Sequence, residues 1–374
     1  MPTPSFLRWF TPVSAARLLD MINLGQLTHS VQQNCDISDA QFAGHYSLCT
    51  FLLKMREYYR WEYDIPLTAP LSKSDVGNWL TQREQQWDGI SEHTLCPLLI
   101  GEQSFDPFDS AGLNALLTPL RWVYSGGYGL FHKPQFFLAD LIRTEIHADV
   151  TFYVSGCEYA RELSASPAMA LGETVFIRQE SLRRLLWEKF EEWRWKQNAN
   201  APLARALACY PATTDLDRTL EHMTSNETHT LILHELGEVK IGRLLGPRWE
   251  VMLAALQNPK AEFLARAVRD HWADCLVTFP ALLAQDNRAA LHFYFANFTG
   301  LRREIFPEAH SVYQRWCNGA GSTEWRDLCE RGVQRWNEAA NLLLDEYARV
   351  PDNIDVYIEN QFDNTVPATL SCAR

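Results

Sequence analysis

The chain has 374 residues and a formal net charge of −12, and 47% of its residues are hydrophobic while 21% are charged. This composition predicts an ordered protein with a substantial core, and the acidic balance argues against general nucleic-acid binding or attachment to an anionic membrane surface. Nine cysteines without a Cys-x-x-Cys pair indicate reduced thiols, so we expect a cytoplasmic protein. Neither a signal peptide nor an apolar run long enough to span a membrane is recognisable.

Residues 1–135 are predicted to form an N-terminal helical part. A short helix is expected over Ser14–Leu24, with Gly25 ending it, and a longer one over Ser38–Tyr63. Glu57 would lie opposite the apolar face of the longer helix and is expected to be solvated, whereas His45 borders that face. The apolar face of this helix would contain Leu48, Leu52, Met55 and Tyr59.

Residues 136–178 change from helical to strand periodicity. Apolar and polar residues alternate over Ile142–Val154, which is typical of a half-buried strand, and Thr174–Arg178 reads as a returning strand. Glu145, His147 and Asp149 would share the polar face, where solvation is a commoner outcome than metal binding. The glycines of Gly126–Gly129 lack a phosphate-loop pattern and favour a turn between strands.

Residues 179–374 are predicted to form a second helical part. The strongest helices are expected over Gln179–Lys196, Asn226–Leu245, Pro259–Gln285 and Ser322–Ala348, followed by an irregular tail from Pro351. The predicted fold is therefore mainly α, a large helical domain with a small antiparallel β insertion. We expect its three parts to form one compact unit.

The segment Asn226–Leu245 carries the most distinctive pattern. An α-helix turns about 100° per residue, so Glu227, His234 and Glu238 form one stripe about two turns long. Carboxylate and imidazole groups are ligands for iron, manganese and zinc. The segment also resembles the H-E-x-x-H zinc pattern, although Glu238 replaces the second histidine. A simple His–Glu pair one turn apart on a partly exposed face is the alternative interpretation.

Other segments offer residues that could complete a metal site. His271 and Asp274 lie in the predicted helix Pro259–Gln285, His45 lies in the N-terminal part, and Glu235 is a candidate general base. The competing explanation for Asp270 and Asp274, spaced one turn apart, is pairing with Arg266 or Arg269 on a wet surface.

Three stretches carry a resemblance to known sequences: GHYSLCTFLLKMREYYRWEYDIPL, YVSGCEYARELSASPAM and VFIRQESLRRLLWEKFEEW. They resemble a family of bacterial proteins of similar length that has no assigned activity. The resemblance implies a single intact family domain and supplies no catalytic residues. The His/Glu stripe is also loosely similar to dimetal helical bundles, although their usual Glu-x-x-His pairs are absent here.

Two functions remain compatible with the sequence. One is a metal-dependent enzyme acting on a small-molecule substrate, for which a dinuclear iron or manganese oxidoreductase fits a carboxylate-rich site better than zinc hydrolysis does. The other is a non-catalytic interaction or scaffold protein with a protein partner and a structural buried His/Glu network. A Cys–His nucleophile is a weaker idea, because no local signature supports it.

Overall fold

The computed structural model describes residues 22–196, 201–210 and 215–363. The chain divides into two compact units. The first unit contains the described residues up to Arg143 together with Ser155–Ala165, and the second contains Thr144–Val154 and the described residues from Ser166 onward. None of the described helices is both long and apolar enough to cross a bilayer.

The first unit combines helices with antiparallel strands. Its helices are α1 (Leu24–Phe42), α2 (Leu48–Glu62), α3 (Lys73–Ile90) and α4 (Ser110–Leu117). Its strands are a hairpin, β1 (Leu98–Ile100) and β2 (Gln103–Phe105), then β3 (Trp122–Tyr128), most of β4 (Pro134–His147) and the second half of β5 (Val150–Arg161). Most of the predicted helix Ser14–Leu24 lies outside the described residues. Gly25 belongs to the first turn of α1 and does not end a helix.

The predicted helix Ser38–Tyr63 is two helices, so that prediction was wrong about its continuity. A short 3₁₀ turn interrupts it at Ala43–His45, and the Ser47 side chain caps the start of α2 by accepting from the Thr50 amide. The expected solvation of Glu57 was also wrong, because this side chain is buried. Its carboxylate lies 2.8 Å from Arg56 Nε and 3.3 Å from Arg60 Nε, and this pairing makes burial tolerable. Leu48, on the predicted apolar face, is instead 72% exposed.

Together with β6 (Ala168–Leu171) and β7 (Thr174–Arg178), strands β3, β4 and β5 form a five-stranded sheet with the order β3-β4-β5-β7-β6, so the predicted small antiparallel β insertion is confirmed. It begins earlier than predicted, because Gly126 and Gly127 belong to β3. A Cβ atom at Gly126 would lie 2.0 Å from the Pro107 carbonyl oxygen, so a glycine is required in this strand by close backbone approach. His147 and Glu145 pair with each other at 2.8 Å on a partly exposed face.

The second unit contains the end of β4, the start of β5, and two further strands, β6 (Ala168–Leu171) and β7 (Thr174–Arg178). Its longer helices are α5 (Gln179–Lys196), α7 (Leu216–Leu245), α9 (Pro259–Ala273), α11 (Arg288–Asn297), α13 (Pro307–Cys317), α14 (Thr323–Arg349) and α15 (Ile354–Asp363). Its shorter helices are α6 (Pro202–Ala208), α8 (Pro247–Ala255), α10 (Phe279–Ala284) and α12 (Gly300–Ile305). The predicted mainly helical fold is thereby confirmed.

The start of α7 and the tail of the chain differ from the predictions. Helix α7 begins eleven residues before Glu227, where Asp215 caps it, and ends at Gly246, whose φ is 68°. The tail that was expected to be irregular contains α15, because Ile354, Ile358 and Phe362 are buried at one-turn spacing. Acidic and amide residues between them conceal this stripe in the sequence.

A buried ion pair in the first unit gives a stability prediction. Lys133 Nζ donates to Asp39 Oδ1, and the Leu163 amide donates to Asp39 Oδ2 at 2.7 Å; both side chains are buried. We expect Lys133→Met to lower the free energy of unfolding by about 3–5 kcal/mol, because it leaves a buried carboxylate without its cation. Chemical denaturation would measure this change.

The control is Lys73→Met, at the exposed start of α3, which should change stability by less than about 0.5 kcal/mol. The double variant Lys133→Met/Asp39→Asn should recover part of the loss. A double variant no more stable than Lys133→Met would contradict the assignment of the cost to the orphaned charge.

Candidate metal centre

Two helices of the second unit bring four ionisable side chains together. Helix α7 carries His234 and Glu238 one turn apart, and Asp270 and Asp274 lie one turn apart at the end of α9 and the start of the next turn. Gly237 allows these helices to approach, since a Cβ there would lie 2.9 Å from the Ala273 Cβ and 3.0 Å from the Ala273 carbonyl oxygen. A larger residue would separate the two polar pairs.

His234 is held at both ring nitrogens. Its Nδ1 lies 2.9 Å from Asp274 Oδ1, and its Nε2 lies 3.2 Å from Glu238 Oε1. Burial alone would lower the pKa of His234, but the two carboxylates raise it well above its ordinary value. Unless another cation takes the place of a proton, the ring is therefore a doubly protonated imidazolium.

Asp274 holds the His234 ring on its buried side. Its side chain is fully buried, and its Oδ2 accepts hydrogen bonds from Tyr294 OH at 2.5 Å and from Arg302 Nη2 at 3.0 Å. Burial raises the pKa of Asp274, but His234 and Arg302 outweigh burial and bring that pKa to about 2. The carboxylate is thus ionised and fixed in orientation.

Glu238 and Asp270 have different environments. Glu238 Oε2 accepts from Arg269 Nη2 at 2.6 Å, and although burial raises the pKa of Glu238, Arg269 and His234 lower it far below the usual range. The nearest ion-pair contact of Asp270 is Arg302 Nε at 3.9 Å. Burial and the Glu238 carboxylate raise the pKa of Asp270 to about 7. Asp270 therefore retains a proton to near neutral pH.

His234, Glu238 and Asp270 each offer a ligand atom, and these three atoms lie within 4.8 Å of one another. Because Nδ1 of His234 is committed to Asp274, Nε2 is the nitrogen directed at the carboxylates. The group remains partly accessible, since the side chains of His234 and Glu238 are 19% and 14% exposed. One imidazole nitrogen and two carboxylate oxygens can hold Mn²⁺, Fe²⁺ or Zn²⁺.

The structure does not bring every predicted site residue to this group. Glu227 is seven residues before His234, which is about 10 Å along the helix axis. Its buried carboxylate instead accepts from Asn226 Nδ2 at 3.3 Å, near Tyr210. His45 belongs to the first unit, where its ring packs against Phe42 and Phe131.

His271 and Glu235 lie next to the group without belonging to it. His271 Nε2 bonds the Arg302 carbonyl at 2.9 Å, its Nδ1 is 4.0 Å from Asp274 Oδ2, and burial lowers its pKa to about 3. It is a neutral core histidine. Burial and Glu238 raise the pKa of Glu235 to about 8, so Glu235 holds a proton at neutral pH.

Sequence reasoning missed several residues of the site. Asp270 was not among the predicted ligands, its pairing with Arg266 or Arg269 on a wet surface was the competing explanation, and Tyr294 and Arg302 were not identified. The spacing of Asp270 and Asp274 was visible, but full burial of Asp274 was not. Arg302 and Tyr294 come from separate helices, so no local spacing in the sequence indicates them.

An irregular turn places Asp274. Residues Asp274–Thr278 form a π-helical turn in which the Phe279 amide bonds the Asp274 carbonyl, five residues earlier. Pro280 has no amide hydrogen for the Leu276 carbonyl, which favours the wider turn. π-Turns are often found at functional sites.

Two family models match most of the chain. The N-terminal domain model of a family of unknown function, DUF6866, matches residues 26–178, and the C-terminal domain model of that family matches residues 183–365. No curated protein and no solved structure matches the chain. The junction between the two models coincides with the end of β7 and the start of α5, where the predicted β insertion ends.

The close approach at Gly237 gives a second prediction. A Gly→Ala change inside a helix ordinarily stabilises by up to about 1 kcal/mol. At Gly237 we expect the opposite, a loss of about 1–3 kcal/mol, because the new methyl group overlaps Ala273.

Gly242→Ala is the matched control in the same helix, since a Cβ at Gly242 meets nothing within 4 Å. It should be neutral or stabilising in thermal unfolding. Equal effects of the two substitutions would show that Gly237 does not set the helix separation.

Glu227 gives a prediction about pH. Burial raises its pKa from 4.5 to about 8, so the folded state holds a proton that the unfolded state loses above pH 4.5. The Glu227 contribution to stability is therefore lost as pH rises from about 4.5 through 8. Glu227→Gln should remove this slope and stabilise the protein at pH 8 by roughly 2–4 kcal/mol. Denaturant unfolding at pH 5 and pH 8 would measure it, and a Glu227→Gln variant that keeps the wild-type slope would contradict the assignment.

Proposed function

Because the chain belongs to DUF6866, a family of unknown function, across both of its domains, we propose a function from the geometry of the site: a metal-dependent enzyme. It binds one divalent ion through His234 Nε2, Glu238 and Asp270. The observation that carries the proposal is that these three ligand atoms lie within 4.8 Å of one another. The other ring nitrogen of His234, Nδ1, is already fixed by Asp274.

The contact between His234 and Asp274 supports this assignment. Metal-binding histidines almost always donate their second N–H to a carboxylate, a carbonyl or water, which fixes the ring and raises its basicity. Asp274 is the carboxylate that bonds the second nitrogen of His234, and Tyr294 and Arg302 fix its orientation by donating hydrogen bonds to Oδ2. Asp274 is fully buried behind the His234 ring, so it orients the histidine and is not itself a ligand of the ion.

The state of Asp270 also supports a cation at this point. Asp270 and Glu238 are close, and the nearest arginine nitrogen is 3.9 Å from Asp270. A proton relieves the repulsion between the two carboxylates when no ion is present. A divalent ion would displace that proton and the Nε2 proton of His234.

A single ion is favoured over the dinuclear centre. Within residues 22–196, 201–210 and 215–363, His234, Glu238 and Asp270 form the one group of three ligands that meets. Three protein ligands leave coordination positions for water and substrate, which is typical of catalytic sites. The chemistry supplied is Lewis-acid activation of water or of a substrate oxygen, with Glu235 as the adjacent proton donor or acceptor.

A structural network is the second candidate, and a specific observation favours it. Both nitrogens of His234 already bond carboxylates, so an imidazolium can hold α7 against Asp274 with no ion present. In that case the cluster stabilises a non-catalytic protein, and the polar groups serve only to join helices.

Metal binding distinguishes the two candidates. The purified protein is stripped with a chelator, and Mn²⁺, Fe²⁺ or Zn²⁺ is then titrated by calorimetry and elemental analysis. We expect one equivalent of an ion to bind. At a free-ion concentration of about 100 Kd, the ion should raise the free energy of unfolding by about 2.7 kcal/mol.

Asp270→Asn should abolish binding, and His229→Gln should not, because His229 is an exposed histidine of the same helix that bonds Gln285. Glu227→Gln should also leave the stoichiometry at one. If wild-type protein binds no ion, or if Asp270→Asn binds as well as wild type, the metal site is refuted and the structural network stands.

A further inference from the structure

A groove in the second unit lies on the other side of the π-turn from the candidate metal centre. It has a volume of about 540 Å³ and runs between the Cys275–Ala284 segment and α14. The groove is open to solvent along one side, and its volume is large enough to hold a small ligand. The groove shares no lining residue with the candidate metal centre, so a ligand could bind in it whether or not the metal centre holds an ion.

The two walls of the groove run antiparallel. Gly332 contacts Cys275 so closely that a Cβ there would lie 2.4 Å from the Cys275 Sγ. Further along, the rings of Trp325 and Phe279 lie 5.3 Å apart. Cys275 is therefore opposite the middle of α14, and the later residues of the segment are opposite its N-terminal end.

The groove has an apolar body and an exposed arginine at one end. Leu276, Pro280, Leu283 and Val333 supply most of the apolar surface. Ser322 and Arg326 lie at the N-terminal end of α14. Glu324 in the same turn is paired with Arg315 at 2.6 Å, so Arg326 is the residue of the lining that supplies positive charge.

The charge of Arg326 is available at this end. Arg326 is an exposed residue, and within the described part of the chain it has no ion pair shorter than 4.0 Å. Glu330, one helical turn further on, lines the same groove. An anion would therefore be attracted towards Ser322 and Arg326 and repelled from the part of the groove near Glu330.

We propose that this groove binds a small amphipathic carboxylate. The carboxylate pairs with Arg326 at the start of α14, and the apolar chain extends along Pro280 and Leu276 towards Val333. The polarity of the groove fixes this orientation, because the reverse pose would put the carboxylate beside Glu330 and an alkyl chain against the guanidinium.

The test uses decanoate as the probe and decanol as its neutral counterpart, each below its aggregation concentration. Binding is measured by calorimetry and by displacement of 1-anilinonaphthalene-8-sulfonate. We expect saturable binding of one decanoate per chain and at least tenfold weaker binding of decanol, as loss of a charge-assisted contact implies.

Matched variants locate the site. Arg326→Gln should weaken decanoate binding about tenfold, whereas Arg331→Gln, an exposed arginine of the same helix outside the groove, should not change it. Ala284→Phe places a ring over the mouth of the groove and should abolish binding of both probes. Thermal unfolding of each variant verifies that it is folded.

Three results would overturn the proposal: no saturable binding to the wild type, equal affinity for decanoate and decanol, or an Arg326→Gln variant that binds like Arg331→Gln. Binding that survives Ala284→Phe would place the probe elsewhere and would overturn it as well. The metal titrations and these titrations involve different residues, so failure of one leaves the other interpretable.

Discussion

The contact between His234 and Asp274 joins α7 to the π-turn that follows α9 in the second unit. It exists because Gly237 lets α7 lie against Ala273, so that polar pairs on both helices meet. The same contact fixes the orientation of the imidazole. With Nδ1 bonded to Asp274, the His234 Nε2 atom is directed towards Glu238 and Asp270. This nitrogen carries either a proton or a metal ion, so the chemistry of the site depends on the contact with Asp274.

Charge balance explains why such a cluster can be stable inside a protein. It contains four carboxylates: Glu235, Glu238, Asp270 and Asp274. Arg269 and Arg302 offset two of them, and an imidazolium at His234 offsets a third. Without an ion, the raised pKa values of Asp270 and Glu235 keep these two carboxyls protonated near neutral pH, whereas a divalent ion would displace the proton of Asp270 and the second proton of His234. Burial makes one of these two states necessary, because an uncompensated charge in this environment is costly.

The π-turn links the cluster to the groove on its far side. Asp274 and Cys275 are consecutive residues, yet Asp274 contacts His234 while Cys275 lies beside Gly332 of α14. In this way a single wide turn presents a carboxylate to one side and an apolar wall to the other. A ligand that orders the turn from either side restricts the same backbone, and any effect on binding at the opposite side must be reciprocal.

The sequence predicted the helical fold, the strand insertion and part of the site, and the reasons for the misses are physical. Amphipathic periodicity identified α5, α7 and α14, but it assigned Glu57 to solvent, because a helical wheel shows which residues share a face and does not show that the rest of the chain buries the polar face as well. Glu227 was included among the predicted ligands because it lies at nearly the same angle around the helix as His234. The angle alone does not show that the two residues are about 10 Å apart along the helix axis.

The more informative signal was the spacing of small residues. His234-Glu235-Leu236-Gly237-Glu238 and Asp270-His271-Trp272-Ala273-Asp274 share one pattern, in which two ligand-type residues one turn apart enclose a small residue just before the second. A small residue at that position allows close helix packing, and the flanking polar residues are then brought face to face. In this chain the two segments contact each other at their small residues, Gly237 and Ala273, and His234 meets Asp274. The arginine and tyrosine that complete the site come from helices with no such pattern, and only the folded chain brings them there.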